Sequence, residues 1–115
     1  MAANRHNRGK IRMSLVDPEF CKDVAEVAQM GAKKYGRDNW FKGQEYTTTL
    51  DSLKRHLHAF ECGTQTDSES GLHHLAHVAC NAMFLLYFER HDKYKIFDDR
   101  MYANDNRQND IDETE

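Results

Sequence analysis

Long apolar runs are missing from this chain. No stretch reaches the roughly eighteen consecutive apolar residues that a membrane span requires, and the opening residues lack the apolar core of a secretory signal. Cysteine is sparse: Cys21, Cys62 and Cys80 lie far apart with no C-x-x-C pairing. That argues against a disulfide framework or a thiolate zinc site and for a reducing cytosol. A cytoplasmic setting is therefore expected. The formal charge of −3 gives no global case for nucleic acid as a partner. No strand-like alternation and no internal repeat stands out.

What is present suits one small soluble domain of 115 residues, 39% hydrophobic and 30% charged. A chain of this size buries only roughly two-thirds of its unfolded surface, so its core is modest. Residues 1–16 read as a basic N-terminal arm ("NRHNRGKIR"), 17–92 as a helical domain, and 93–115 as a short C-terminal element around 96–102 followed by an acidic tail ("NDIDETE").

Three helices are predicted. Asp17 and Pro18 form an entry signal for the first, Phe20, Val24, Val27, Ala28 and Met30 recur at helical spacing, and Gly36 offers a stop. The loop "YGRDNWFKGQEY" follows, a candidate functional segment. The second helix is expected to start among Thr47 to Thr49, with an apolar stripe of Leu50, Leu53, Leu57 and Phe60 and an end at Gly63. Thr66 and Glu69 have capping-box spacing, so the third helix is expected to begin near Asp67 or Ser68 and run to about Arg90.

That third helix is apolar around most of its circumference, as Leu72, Leu75, Val78, Met83 and Leu86 show. A helix apolar all round is buried on all sides, and two helices of the same chain cannot surround it. The expected architecture is an all-α bundle of three main helices per chain, completed by homo-oligomerisation, a dimer or higher. Against this apolar background His74, His77 and Asn81 fall within about 60° of one another. A buried imidazole without a partner costs about 1–3 kcal/mol, so the stripe must share partners. His56 on the second helix is placed to face it. Such a cluster is either a polar network fixing helix register or a nucleotide or metal site inside the bundle.

The ordered set "GKIR", "GAKKYGRDNW", "RHLHAF" and "DSESGLHHLAH" resembles the bacteriophage dATP/dGTP diphosphohydrolase N-terminal domain family over residues 9 to about 88. The family carries G-K-P-R where this chain has Ile11 in place of the proline. The resemblance implies hydrolysis of a purine deoxynucleoside triphosphate, dATP or dGTP, to the monophosphate and diphosphate, adjusting nucleotide pools during infection. The matching positions are Lys10, Arg12, Tyr35, Gly36, Asn39, Trp40, Arg55, His56, Asp67, Glu69, Ser70, Gly71, His74 and His77. A weaker similarity links the chain to the all-α MazG-like pyrophosphohydrolases, whose two acidic helix motifs hold magnesium. Here "RHLHA" and "HLAH" stand opposite those motifs, and magnesium prefers oxygen ligands.

For such a hydrolase, Arg55 has the planar fork to engage phosphate, with Lys10, Arg12, Lys33, Lys34 and Arg37 adding positive field or serving as ordinary surface charge. Asp67 and Glu69, with His56, are the catalytic candidates, able to bind metal or activate water; helix capping is their plainer role. His74, His77 and Asp67 are the candidate ligands of a divalent metal, Mg or Mn with Zn possible in principle. Ser70 and Gly71 leave an anion-accessible turn. Tyr35, Asn39 and Trp40 can contact a base or pin the loop, anchoring being the plainer role for Trp40. Asp23 and Glu26, three apart on the first helix, read as its solvent face.

Two further readings remain beside the enzyme. One is a non-catalytic binder of a purine nucleotide or nucleotide-derived signal, a sponge of the kind phages use against host defence. The other is a small interaction protein whose histidines only fix packing.

Overall fold

The computed structural model describes residues 3, 4, 6 and 8–103. Among them are three α-helices, α1 (Pro18–Tyr35), α2 (Tyr46–Glu61) and α3 (His74–Arg90), with short 3-10 turns at Met13–Leu15, Asn39–Lys42 and Asp92–Phe97 and no strand. No helix among the described residues is long and apolar enough to cross a membrane. The acidic tail from 104 onward lies outside the described residues.

The first helix forms as its sequence dictates. The Asp17 side chain accepts a hydrogen bond from the Glu19 N–H at 3.1 Å, Pro18 occupies the first turn where its missing N–H costs nothing, and the chain leaves through Gly36 at φ +100°. The second helix starts at Tyr46, just ahead of the threonines expected to cap it, and Glu45 at its cap position makes no side-chain cap bond. The carboxylate comes from elsewhere: Asp99 accepts from the Thr47 N–H at 2.9 Å and from its hydroxyl at 2.6 Å. This use of Asp99 goes with a C-terminal element at Asp92–Phe97 rather than at 96–102; Ile96 is 85% exposed.

The start of α3 departs furthest from expectation. Thr66 and Glu69 form no capping box and residues 67–73 are not helical. The Asp67 N–H donates to the Leu72 carbonyl at 2.8 Å, the Gly71 N–H to the Asp67 carbonyl at 2.7 Å, and Thr66 bridges to His73. A closed turn therefore replaces the predicted first helical turns. His73 caps α3, its Nδ1 accepting from the Leu75 N–H at 3.0 Å.

α2 and α3 run antiparallel. Tyr46 stacks on Phe88, Ser52 meets Asn81, and His56 meets His74 and His77, so positions along one helix pair with positions falling along the other. α1 packs on another side of α3, where Val27, Ala76 and Cys80 form a small core with Val24, Ala28, Leu72 and Phe84. Burial pushes the Cys80 thiol up to about 11, leaving it an inert hydrophobe. The second core joins Tyr46, Phe88 and Tyr94 with Trp40, Phe84 and Phe97, and the Tyr94 hydroxyl donates to the Phe41 carbonyl at 2.6 Å. Gly43, at φ +87°, closes against it; a Cβ there would lie 2.5 Å from the Phe97 ring.

Phe88 is fully buried and is the centre of this second core. Phe88→Ala is expected to destabilise the fold by about 3–5 kcal/mol, the usual cost of emptying a buried aromatic site. Urea unfolding followed by circular dichroism measures it, and a loss below about 1 kcal/mol would show that this core does not hold the bundle.

Candidate functional site

The site is built where the upper half of α2 faces the first turns of α3. Nδ1 of His56 and Nδ1 of His74 lie 2.9 Å apart, and the His56 ring stacks on that of His77 with centroids 4.2 Å apart and planes 5° from parallel. His74 and His77 are buried, and His56 is half-buried. Nε2 of His77 is hydrogen-bonded with the Ser70 hydroxyl at 2.8 Å, and that hydroxyl also accepts from the Leu72 N–H at 3.1 Å. Asp67 turns back onto the same place: its Oδ2 accepts from the Ser70 N–H at 2.8 Å and stands 4.0 Å from His77 Nε2. The closed 67–71 turn thus delivers a carboxylate and a hydroxyl to three imidazoles.

One ligand atom each from His56, Asp67 and His74 lies within 4.8 Å of the others. Two imidazole nitrogens and a carboxylate oxygen are the donor set of a transition-metal site with open positions. The 2.9 Å separation of the two Nδ1 atoms suits either one N–H···N hydrogen bond or two ligands of one ion. His56, expected as a catalytic group, is the residue gathered with Asp67 and His74, whereas His77, expected among the ligands, is engaged with Ser70.

Burial pushes the His56 and His77 imidazoles below their ordinary value; the neighbouring His77 adds to this at His56, while Asp67 opposes it at both. Both rings are therefore neutral at pH 7, the form that ligates metal. At Asp67 burial alone would raise the carboxyl, but hydrogen bonds from Ser70 and the facing imidazoles hold it below the usual carboxylate range.

His77 also borders a recess of about 400 Å³ between α1, the 36–44 loop and the α2–α3 pair. Val27, Cys80 and Phe84 give it an apolar floor, while Ser52, Asn81 and Asn39 line it with hydroxyl and amide groups. Asn81 donates through Nδ2 to Ser52 Oγ at 3.2 Å and to the His77 carbonyl at 3.0 Å, tying the recess to the imidazole cluster.

A family model described as dATP/dGTP diphosphohydrolase, N-terminal, matches residues 1–100. The chain belongs to this family. It is 41% identical over 87 residues to the dATP/dGTP diphosphohydrolase of Salmonella phage PMBT28, an alignment covering 76% of this chain and 30% of that protein. The chain thus spans under a third of the length of that relative. No solved structure matches it.

The positions that carry the family resemblance divide in space. His56, Asp67, Ser70, His74 and His77 form the cluster. Tyr35, Gly36, Asn39 and Trp40 line the recess, with Trp40 held against Phe41 (4.0 Å), Phe84 (4.7 Å) and Tyr87 (5.0 Å between centroids), so its ring anchors the loop. Lys10 and Arg12 are exposed in the N-terminal arm, Arg55 is exposed on α2 beside His56, and Gly71 is exposed at φ +75°. Glu69 is exposed and pairs with Lys34 of α1 at 3.2 Å. Asp23 is exposed on α1, as its solvent-face reading requires, and Glu26 is half-buried. Sequence reasoning gave Ser52 no role in the site. A lone serine beside Leu53 carries no periodic signal, and only the pairing of α2 with α3 shows it facing Asn81.

These shifts set a pH response. For His56 and His77 the folded values lie below the unfolded one of about 6.5, so below that pH the unfolded chain binds more protons and stability falls with pH. Asp67 adds a further loss only below its unfolded value of about 3.9. In metal-free protein the thermal midpoint is expected to fall between pH 7 and pH 5, and the fall to shrink in His77→Gln. A midpoint that rises over that range would contradict the neutral assignment.

Proposed function

We propose that this domain binds a purine deoxynucleoside triphosphate and hydrolyses it to the monophosphate and diphosphate, with a divalent ion held by His56, His74 and Asp67. The convergence of those three groups, one stacked ring away from a nucleotide-sized recess, carries this reading. The name of the Salmonella phage relative supports it. Magnesium is a poor match for two imidazoles, so the donor set favours manganese or zinc.

When bound, the ion supplies charge to the phosphoryl oxygens and makes a water more acidic. The chain's own groups do the rest. His77, neutral at pH 7 and 4.0 Å from Asp67, takes the proton of the attacking water, and the carboxylate stabilises the imidazolium formed. The water oxygen bonds to the α-phosphorus as the bond from that phosphorus to the bridging oxygen breaks, and diphosphate leaves. Ser70 keeps the His77 ring in place. Arg55, exposed on α2 beside His56, offers phosphate contacts, the exposed Lys10 and Arg12 of the N-terminal arm add positive charge, and the exposed Glu69–Lys34 ion pair links the 67–71 turn to α1.

Incubating the purified chain with dATP or dGTP and manganese is expected to yield monophosphate and diphosphate, detected by chromatography. His77→Gln is expected to lower kcat by about 10²–10⁴ with nucleotide still bound. Retention of intact nucleotide by the wild-type chain would show a binder, and neither binding nor turnover would leave the cluster a packing network.

The architecture also points to self-association. Within one chain α1 and α2 leave Met83 39% and Leu86 51% exposed on α3, a helix apolar enough to be enclosed. We propose that a second copy covers this face. Light scattering after gel filtration is expected to give a dimer or larger species, reduced to a monomer by Leu86→Glu; a wild-type monomer at micromolar concentration would rule this out.

A further inference from the structure

The recess beside His77 has a glycine that neither backbone nor packing requires. Gly31 lies inside α1 and is not among the positive-φ glycines, so any residue could adopt its conformation. A Cβ built there meets no heavy atom within 4 Å, so no neighbour demands its smallness. Glycine inside a helix is nevertheless unfavourable relative to alanine. Gly31 faces the recess, and the space it leaves open is therefore space for something other than this chain's side chains.

The lining specifies what fits. The floor is apolar (Val27, Cys80, Phe84), as a flat heterocycle needs, and the volume of about 400 Å³ exceeds what one ring would fill. At its edge sit Ser52 and Asn81. Both Asn81 amide hydrogens are directed to Ser52 Oγ and the His77 carbonyl, which fixes the amide orientation and leaves its Oδ1 accepting no hydrogen bond among the described residues. Ser52, having accepted from Asn81, keeps its own O–H to donate. The recess thus presents one acceptor beside one donor. Adenine answers with its 6-amino group and N1, guanine with its N1–H and O6.

We infer that this recess is the base pocket, with Gly31 kept small to admit a two-ring base and the Asn81–Ser52 pair reading its Watson–Crick edge. This rests on the nucleotide reading above and extends it to Ser52 and Asn81, which lie outside the motifs of the family resemblance, and to Gly31, which opens one of those motifs but is not among its matching positions. The sugar then lies against His77, and the phosphates extend past it toward His56, His74 and Asp67.

Trp40 is the single tryptophan of the chain and lines the recess, so its fluorescence reports occupancy. Titration with dAMP, dGMP and dTMP, excited beyond nucleotide absorption, is expected to give saturable changes for both purine nucleotides and at least tenfold weaker binding of dTMP. Gly31→Leu, which fills the recess, is expected to weaken purine binding tenfold or more without lowering the thermal midpoint. Gln29→Leu, on an exposed position of α1, is expected to bind as the wild type does. Unchanged affinity in Gly31→Leu, or equal affinity for dTMP, would overturn the base pocket while leaving nucleotide binding intact. If equilibrium dialysis finds no binding of dATP, dGTP or their monophosphates by the wild type, the nucleotide reading fails and this inference falls with it.

Discussion

The antiparallel register of α2 against α3 is the constraint on which the site depends. Tyr46 against Phe88 sets one end, Ser52 against Asn81 the middle, and His56 against His74 and His77 the other end. A helix turns through about 100° per residue, so a slip of one residue would carry His56 off the face that meets His74 and empty the cluster. Burial of Phe88 and Tyr94 at the far end therefore does more than stabilise. It locks the rotation of α2 that brings an imidazole to within 2.9 Å of its counterpart.

The imidazoles themselves are a contested occupancy of the core. Two of them are buried where an apolar residue would pack without needing partners. They are tolerated because each is satisfied: His74 by His56, and His77 by Ser70. The same desolvation that makes them costly keeps His56 and His77 neutral, and neutrality is what a metal ligand or a proton acceptor requires. Asp67 completes the balance: burial pushes its carboxyl upward, and hydrogen bonds from Ser70 hold it below the usual carboxylate range.

How much of this was legible in the sequence depended on how local the signal was. Asp17, Pro18 and Gly36 act within one or two residues of themselves, and α1 has the bounds they imply. The His74–His77–Asn81 stripe follows from helical periodicity, and His56 faces it once the second and third helices are closed into a hairpin by the turn between them. The Thr66–Glu69 spacing misled because the backbone of Asp67 prefers the Leu72 carbonyl, a partner that a four-residue pattern does not contain. The inner face of α2 was misplaced for another reason. Tyr46 and Thr49 are each 1% exposed, while Leu57 and Phe60, counted as its apolar stripe, are 37% and 36% exposed. A threonine paired to Gln44 and a tyrosine against Phe88 bury as well as leucine does, but no hydropathy pattern marks them. Asp99, reaching α2 from fifty-two residues away, had no sequence signal at all.

A domain of this size has little core to spare, and that makes the recess informative. Gly31, Ser52, His77 and Asn81, one glycine and three polar residues, all line it between α1 and the α2–α3 pair. Gly31 costs helix propensity, while the polar groups of the other three are accommodated by hydrogen bonds, His77 to Ser70 and Asn81 to Ser52. These four residues around one space, adjoining the cluster of imidazoles and a carboxylate found among the described residues, are the ones the proposed nucleotide pocket would use.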